Sequence, residues 1–384
     1  MNSSLFLQSD VSDPYLLYEN MQNKNAVYWD EPNKIWAIYS HKHCVEVLKN
    51  PKAQIPTINP DNIQKLNEYA LDILNNLTRL SNGVQHEIGR EISIMLFSKI
   101  KSVEISPVIT ALIQNDLIES KIDWVDSVSK KLPILILLKS FNFNDNDSDF
   151  ISKNIETIVK IMLPKKTNEE ADSINKISED LFLRIKKHLF NIVDESLLFS
   201  IGEKHKISSD QIIKITVSNL IGLFIQSYDA GRGILSNSLL QIIQNKTFSN
   251  KTVIEKSIIE TVRFDPPIQN TRRIATEDFH IGESLIKKND LILIILASAN
   301  RDSEKFKNPA NFDIERNNNI ENLTFGIGGH MCLAKYFSIQ LATEALWFLF
   351  DKYKTITILE NNIQYEPMIN ARLPKNIWLS IIKK

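Results

Sequence analysis

The sequence predicts a mainly α-helical protein with small β-sheets, an α+β fold. From about residue 41 to residue 256, apolar residues recur mostly at helical spacing, and polar loops such as 141–150 interrupt them. Short extended runs precede and follow this section, at 26–39 and 274–296. No internal repeat and no linker rich in Gly, Ser or Pro divides the sequence, so we predict one domain over residues 1–384.

The composition is that of a globular protein, with 43% hydrophobic and 24% charged residues. Lys and Arg total 45 against 46 acidic residues, so no basic field would attract nucleic acid. Two cysteines, Cys44 and Cys332, do not make a disulfide framework in so long a chain, which favours a reducing, cytoplasmic setting. Residues 1–13 lack a signal-peptide pattern, and the apolar runs are too short to span a membrane, so we expect no membrane anchor.

The predicted strands fall into two groups. The apolar runs 26–29 and 35–39 surround a turn-forming segment, which predicts a hairpin in a small N-terminal sheet. Further extended segments are expected at 274–281 and 291–296.

The longest helix is predicted from about residue 210 to residue 244, with Ser208 or Ser209 as its N-cap. Gly231 and Gly233 mark a place where we expect this helix to bend or unwind, and a functional feature there.

Two shorter helices follow the long one. Residues 252–255 resemble a capping box that opens a helix, which must stop before Pro266-Pro267. The last helix is expected to begin near Cys332 and to end at about Tyr353.

The most informative segment is the loop Phe325-Gly326-Ile327-Gly328-Gly329-His330-Met331-Cys332-Leu333-Ala334. Its glycines are costly unless the backbone must bend tightly or approach another group closely. At the start of a helix, the macrodipole and backbone N–H groups would favour the thiolate of Cys332. The plain alternative is a buried cysteine at an ordinary loop–helix junction.

This loop resembles the haem-binding signature of the cytochrome P450 family, Phe-Gly-x-Gly-x-His-x-Cys-x-Gly, with Ala334 in place of the last glycine. The resemblance implies that Cys332 is the axial ligand of the haem iron and that His330 meets a haem propionate. It also implies haem b, iron protoporphyrin IX, as the cofactor. The implied fold is a single-domain cytochrome P450 fold, with the haem between the long central helix and the cysteine-loop helix.

Further motifs agree with this resemblance in order and spacing. Glu260 and Arg263 share one helix face, and in the family such a pair is completed by a later arginine, here Arg316, in a structural network that locks the cysteine loop. Arg273 matches the strand arginine that binds a propionate, with Arg272 as the fallback.

One more motif lies in the first half of the chain. His86 and Arg90 stand one helical turn apart and resemble the family's His-x-x-x-Arg motif, which implies a second contact with the propionates. The motifs extend from His86 to Ala334, and the flanking segments fit the same fold from about residue 26 to residue 373.

The long helix departs from the family, which carries Ala-Gly-x-Asp/Glu-Thr at this place. An ungapped alignment through Asn237 sets residues 226–230 against that motif, so that Asp229 fills the acid position and Ala230 replaces the Thr. These are the predicted catalytic positions, because the acid and the hydroxyl deliver protons for oxygen activation. A plain alternative for Asp229 is a helix-interior carboxylate paired with Arg232 or a lysine.

Three explanations are possible for how the protein works without the Thr hydroxyl. A substrate hydroxyl could hold the missing water, peroxide could be the oxidant, or a side chain could substitute for the Thr. The candidate side chains are Gln226, Ser227 and Tyr228.

The resemblance implies oxidation, specifically hydroxylation, of a small and largely apolar organic molecule in secondary metabolism. Oxygen is the expected oxidant, with electrons from a separate ferredoxin or flavodoxin and its reductase, for which Lys335, Lys99 and Lys101 are candidate docking residues. One alternative is a peroxide-dependent, coupling or rearranging haem-thiolate enzyme, motivated by Ala230. The other is a non-catalytic haem protein that binds or senses a small molecule.

Substrate contacts are expected from the segments that line the pocket in the family. These are residues 53–85, residues 140–170, the long helix, residues 267–271 and a late loop near residues 369–371. Their residue types predict a largely apolar pocket with polar anchors. The candidate lining residues are Ile58, Ile225, Gln226, Ile268, Gln269, Asn270 and Ile369.

Overall fold

The structure, a computed structural model, describes residues 4–58 and 63–384. Residues 59–62 of the predicted substrate-contacting segment and residues 1–3 of the N-terminal segment lie outside the described residues. The chain forms two compact units. Met1–Pro56, Ile105–Lys130 and Ala230–Lys384 form the mixed unit, and Thr57–Glu104 and Lys131–Asp229 form the helical unit. The single domain over residues 1–384 stays a prediction.

Helices dominate both units. In chain order they are α1 (Pro14–Asn25), α2 (His41–Lys49), α3 (Glu68–Asn75), α4 (Gly83–Ser98), α5 (Ile105–Asp116), α6 (Leu132–Ser140), α7 (Asp145–Val159), α8 (Asn168–His188), α9 (Glu195–His205), α10 (Ser209–Asn245), α11 (Lys251–Phe264), α12 (Leu296–Ala299) and α13 (Lys335–Lys352). Short turns of 3₁₀-helix include Thr78–Leu80 and Gly328–His330. In the described residues, no helix is long and apolar enough to cross a membrane.

All strands assigned in the described residues belong to the mixed unit. They are β1 (Val27–Asp30), β2 (Ile35–Ile38), β3 (Ala53–Gln54), β4 (Lys121–Asp123), β5 (Thr271–Ala275), β6 (Phe279–Ile281), β7 (Ser284–Ile286), β8 (Leu291–Ile294), β9 (Tyr353–Ile358) and β10 (Trp378–Lys383). The largest sheet has the order β1-β2-β8-β5-β3, a second has the order β4-β10-β9, and β6 pairs with β7. The predicted N-terminal hairpin is confirmed, since β1 and β2 pair antiparallel.

The largest sheet separates two apolar clusters because successive residues of a strand point to opposite faces. Ile292 and Ile294 of β8 join the cluster that contains Ile38 and Cys44, whereas Leu293 joins the cluster of Tyr39 and its neighbours. Strand β8 is paired on both edges, in parallel with β2 and antiparallel with β5. This buried sheet holds the strand that carries Arg273.

The helix boundaries near the site agree with the sequence apart from one cap. The long helix α10 is close to its predicted range, and α11 ends at Phe264, before the two prolines. The predicted capping box at residues 252–255 is wrong, because Asn250 caps α11 by accepting a hydrogen bond from the Val253 N–H at 3.0 Å. Asparagine is at least as good an N-cap as threonine, so Asn250 competes with Thr252, and the helix begins two residues earlier than predicted.

Candidate functional site

The cysteine loop, residues 325–334, owes its shape to two glycines. Gly326 and Gly328 have φ angles of 67° and 73°, a region that side chains with a Cβ rarely adopt. A Cβ on Gly328 would also lie 3.3 Å from the Leu48 carbonyl oxygen. The Cys332 N–H donates to the Phe325 carbonyl at 2.8 Å, which closes the loop on itself.

The Cys332 thiol is exposed at the end of this loop. The helix that follows begins at Lys335, with Ala334 as its N-cap, so the cysteine precedes the helix by three residues. The N–H groups of Met331 and Cys332 are used in the turns of the loop. The macrodipole is felt mainly within the first turn, so its expected effect on the thiol is weaker than the sequence suggested.

Behind the loop lies a fully buried ion pair. The Arg263 guanidinium donates to both Glu260 carboxylate oxygens, at 2.6 and 2.8 Å, and neither side chain is exposed. Arg316 Nε lies 3.6 Å from Glu260 Oε1. The structure therefore brings together the three residues of the predicted network. Because each charge is removed from water, loss of one partner would leave an uncompensated buried charge.

Hydrogen bonds connect this network to the cysteine loop. Arg263 donates to the Asn300 carbonyl at 2.9 Å. The Asn300 side chain then accepts from the Leu323 N–H at 2.6 Å and donates to Thr324 Oγ1 at 2.8 Å. Thr324 Oγ1 in turn donates to the Val262 carbonyl of α11. The two residues that precede Phe325 are thus held from both sides.

Arg273 lies on β5 with its side chain buried, whereas the neighbouring Arg272 is exposed. Its guanidinium donates to the Arg272 carbonyl at 2.7 Å and to Thr271 Oγ1 at 3.3 Å, and no ion pair with a carboxylate forms within the described residues. Burial lowers the pKa of Arg273 to about 10, so the group stays charged at neutral pH. A buried cation of this kind fits an anionic ligand group such as a propionate.

His86 and Arg90 both lie on α4 in the helical unit and are half-buried. Burial, together with the positive charge of Arg90, lowers the pKa of His86. Two neighbouring basic groups on a half-buried face suit an anion. His330, in the mixed unit, is half-buried in the turn Gly328–His330.

The positions predicted to activate oxygen, Asp229 and Ala230, lie in the middle of α10. Asp229 and Ala230 are half-buried, Gln226 is exposed and donates to the Gly222 carbonyl at 3.0 Å, and Ser227 Oγ donates to the Phe224 carbonyl at 3.0 Å. The hydroxyl groups and amides of this segment are thus partly used by the helix itself.

Tyr228 makes the contact that the sequence did not reveal. Its hydroxyl donates to Glu156 Oε1 of α7 at 2.5 Å, while its side chain is buried and Glu156 is exposed. The two residues are 72 positions apart, and no short motif predicts such a pair.

Of the two expectations for Gly231 and Gly233, unwinding is wrong, because α10 is helical without interruption from Ser209 to Asn245, and bending stays a prediction. Gly233 has a packing reason instead. A Cβ there would lie 2.4 Å from Pro267 Cβ and 2.6 Å from Leu373 Cδ2, so the glycine lets these side chains approach the helix closely.

The candidate pocket residues differ in accessibility. Ile58, Ile268 and Ile369 are half-buried, and Asn270 is buried. Ile225 is 3% exposed and Gln269 is fully buried. The Gln269 amide donates to the Pro266 carbonyl at 2.6 Å, so its polar groups are engaged within the protein.

A groove of about 500 Å³ lies between α11 and α13. Lys335 lines it together with the exposed Tyr336 and Ile320, and the Lys335 ammonium lies 5.9 Å from the ring centres of Phe325 and Tyr336. Partial burial lowers the pKa of Lys335. Of the predicted ligand and propionate residues, none lines this groove.

Comparisons with known proteins agree with the motifs. The family model for cytochrome P450 matches residues 238–364. A protein named cytochrome P450 119, from Sulfurisphaera tokodaii, is 27% identical over 358 residues, which cover 90% of this chain and 94% of the relative. Pulcherriminic acid synthase of Bacillus subtilis is 22% identical over 408 residues and 99% of each chain.

The fold is shared with solved structures of the same kind. The crystal structure of P450BioI in complex with hexadec-9Z-enoic acid ligated acyl carrier protein superposes with a TM-score of 0.80. The match covers 98% of this chain and 100% of the other at 19% sequence identity, which shows a common fold.

Proposed function

Because this chain belongs to the cytochrome P450 family of haem-binding oxidoreductases, we propose that it hydroxylates a small, largely apolar organic molecule in secondary metabolism. Oxygen is the oxidant, and electrons come from a separate protein. The observation that carries the proposal is the cysteine loop, where Cys332 follows two glycines of positive φ and the buried Glu260 network supports the backbone. The relative named pulcherriminic acid synthase supports a biosynthetic role.

When bound, haem b supplies the oxygen-activating chemistry, which a thiolate ligand promotes by donating electron density. Cys332 would hold the iron, since its thiol is exposed on a loop with a fixed backbone. Arg273 and His330 would hold propionates, and the uncompensated buried charge of Arg273 supports that role. His86 and Arg90 take the same role by resemblance.

Proton delivery without the Thr is the open part of the reaction. Of the three candidate side chains, Ser227 and Gln226 donate to carbonyls of their own helix, whereas Tyr228 donates to the exposed carboxylate of Glu156 on another helix. We propose that Asp229 aids proton delivery and that Tyr228, whose hydroxyl is bonded to Glu156, is the side chain that substitutes for the missing Thr.

Asp229→Asn tests this role in protein supplied with a turnover substrate. Slower turnover and more released peroxide are expected, because an amide cannot exchange the proton that a carboxylate carries. Unchanged turnover and peroxide release would contradict the role of Asp229.

Peroxide-dependent oxidation, coupling or rearrangement is the second candidate, and Ala230 is the observation that favours it. An alanine cannot hold the water that a threonine hydroxyl orients. Hydrogen peroxide brings both protons of the water that oxygen insertion releases, so the peroxide reaction needs no net proton uptake from solvent. The non-catalytic sensor is the outcome to expect if ligands bind without turnover under any oxidant.

Electron transfer requires a partner, for which we propose a ferredoxin or a flavodoxin with its reductase. The groove lined by Lys335 supports docking at the surface beside α13, because it offers an ammonium group next to exposed apolar side chains. Lys99 and Lys101, in the helical unit, stay predicted docking residues.

The test begins with a panel of metabolites, scored by the change in haem spin state that follows substrate binding. Compounds that bind are then incubated with oxygen and a surrogate ferredoxin–reductase pair, or with hydrogen peroxide alone. Product from oxygen and electrons supports the monooxygenase, and product from peroxide alone supports the second candidate. Binding without product in both reactions would contradict both enzymatic functions.

A further inference from the structure

The segment that precedes α1 is tied to the late loop near residue 369. The Gln8 N–H donates to the Met368 carbonyl at 2.8 Å, and the Arg372 guanidinium donates to the Ser12 carbonyl at 3.1 Å. All of these residues belong to the mixed unit. The N-terminal segment is therefore part of the same hydrogen-bonded structure as a loop that was predicted to contact substrate.

The Gln269 side chain makes hydrogen bonds both to α1 and to the residues that follow α11. Its amide donates to the Pro266 carbonyl at 2.6 Å and to the Tyr15 hydroxyl at 3.4 Å, and its Oε1 accepts from the Tyr18 hydroxyl at 3.3 Å. The two tyrosine contacts are long and individually weak, yet the side chain is fully buried, so no water could replace them. The side chain of Gln269 thus joins α1 to the turn after α11.

The backbone of Gln269 and its neighbours joins the two segments predicted to contact substrate, residues 267–271 and residues 369–371, which are called the two turns below. The Gln269 N–H donates to the Asn370 carbonyl at 2.8 Å, and the Arg372 N–H donates to the Pro267 carbonyl at 2.8 Å. The Asn270 side chain donates to the Ile369 carbonyl at 2.9 Å. A shift of Gln269 must therefore move both turns, with Ile268 and Ile369 on them.

Buried charges and aromatic rings make the α1 side of this structure stiff. The Tyr15 hydroxyl donates to Asp265 Oδ1 at 2.6 Å. The Arg301 guanidinium lies 3.6 Å from the centre of the Tyr15 ring and 3.7 Å from that of Phe264. Burial raises the pKa of Tyr15, so this hydroxyl keeps its proton and remains a donor. A network of this kind has few alternative arrangements.

We propose that Gln269 is a positioning residue, which with Tyr15 and Tyr18 sets the shape of the substrate pocket through Ile268 and Ile369 without touching the substrate. The inference rests on the proposed function, since that function places the two isoleucines at the pocket. It assigns a role in specificity to the N-terminal helix α1.

The test compares two azoles on the haem-loaded protein. Imidazole is small enough to need only the iron, and 4-phenylimidazole adds a ring that must fit the pocket wall. Gln269→Leu is expected to change the Kd of 4-phenylimidazole by about fivefold or more, the effect of one buried hydrogen bond, and to leave that of imidazole unchanged. Tyr18→Phe, which removes a single oxygen atom, should change the same ratio in the same direction.

Gln22→Leu is the matched control. Gln22 also lies on α1 and donates to the Tyr39 and Ser298 carbonyls, at 3.1 and 2.7 Å, but to neither of the two turns. Its loss should leave the ratio of the two azole affinities unchanged. If Gln22→Leu changed the ratio as much as Gln269→Leu, the effect would be general loosening of α1 and the inference would be wrong.

A second readout needs no haem. In the haem-free protein, Tyr18→Phe should accelerate hydrogen exchange at the Gln269 and Arg372 amides, whose N–H groups form the backbone hydrogen bonds between the two turns. Unchanged exchange there, with an unchanged azole ratio, would overturn the inference. Failure of the wild-type protein to bind imidazole at a haem iron would instead contradict the proposed function.

Discussion

The cysteine loop and the segment of α10 around Asp229 differ in what holds their side chains. Behind the loop, Glu260 binds Arg263 at full burial, and Arg263 is bonded onward to Asn300. In α10, Ser227 and Gln226 are bonded to carbonyls of their own helix. A charge at full burial depends on each of its partners, whereas the bonds of Ser227 and Gln226 stay within one helix, so substitutions in the second region should cost less stability.

The largest effect is expected from Glu260→Gln. This change leaves Arg263 and Arg316 near a neutral amide, so buried positive charge is no longer compensated. The free energy of unfolding should fall by about 3–5 kcal/mol, measured by urea unfolding. Glu255→Gln on the exposed face of α11 is the control and should cost less than about 0.5 kcal/mol. Equal effects of the two changes would contradict the role of the network.

A smaller loss of stability is expected from Gly328→Ala. The left-handed backbone costs alanine about 1–2 kcal/mol, and the new Cβ would also meet the Leu48 carbonyl at 3.3 Å. Gly83→Ala is the matched control, because Gly83 has a φ of 56° but no atom within 4 Å of its Cβ position. In thermal unfolding, the melting temperature of Gly328→Ala should be lower than that of Gly83→Ala. The reverse order would show that close packing at the loop contributes nothing to stability.

Ala230→Thr tests the α10 side of the comparison. If the missing hydroxyl limits proton delivery, this change should lower the fraction of oxygen lost as peroxide in turnover driven by oxygen and a reductase pair. Helix propensity predicts a cost in stability of only about 0.7 kcal/mol or less. Ala230→Val, which has the same shape without the hydroxyl, separates chemistry from size. An equal response of both variants, or none, would show that the proton takes a route independent of residue 230.

The smallest expected effect concerns His86. Its pKa is lowered in the folded protein by burial and by Arg90, so the unfolded chain binds more protons below its ordinary pKa of about 6.5. This contribution to stability is complete above that pH and is lost as the pH falls through it. His86→Gln should therefore flatten the decrease in melting temperature between about pH 7.5 and 5.5. His280→Gln, at an exposed histidine on β6, is the control, and an unchanged slope in His86→Gln would contradict the expectation.

The sequence predicts the parts of this molecule that local chemistry determines. The hairpin, the long helix and the stop before Pro266 follow from periodicity and turn residues, and the glycines of the cysteine loop follow from the backbone they allow. The N-cap of α11 was missed because two good capping residues lie close together, Asn250 and Thr252.

Contacts between distant segments could not be predicted in this way. Tyr228 is bonded to Glu156, and Gln269 is bonded to Tyr15 and Tyr18 of α1. The residues of each pair are far apart in sequence, and no short sequence motif identifies them as partners. The position of Gly233 suggested an unwound helix, but its cause is the approach of Pro267 and Leu373. Packing across elements, rather than local preference, decided each of these cases.

The most direct test of the account is the absorption spectrum of the purified, dithionite-reduced protein under carbon monoxide. A thiolate ligand predicts a strongly red-shifted Soret band that disappears in Cys332→Ser, because a hydroxyl does not replace a thiolate as the electron-donating ligand. A band at the position typical of histidine-ligated or protonated-thiol haem would contradict the assignment of Cys332, and with it the proposed monooxygenase.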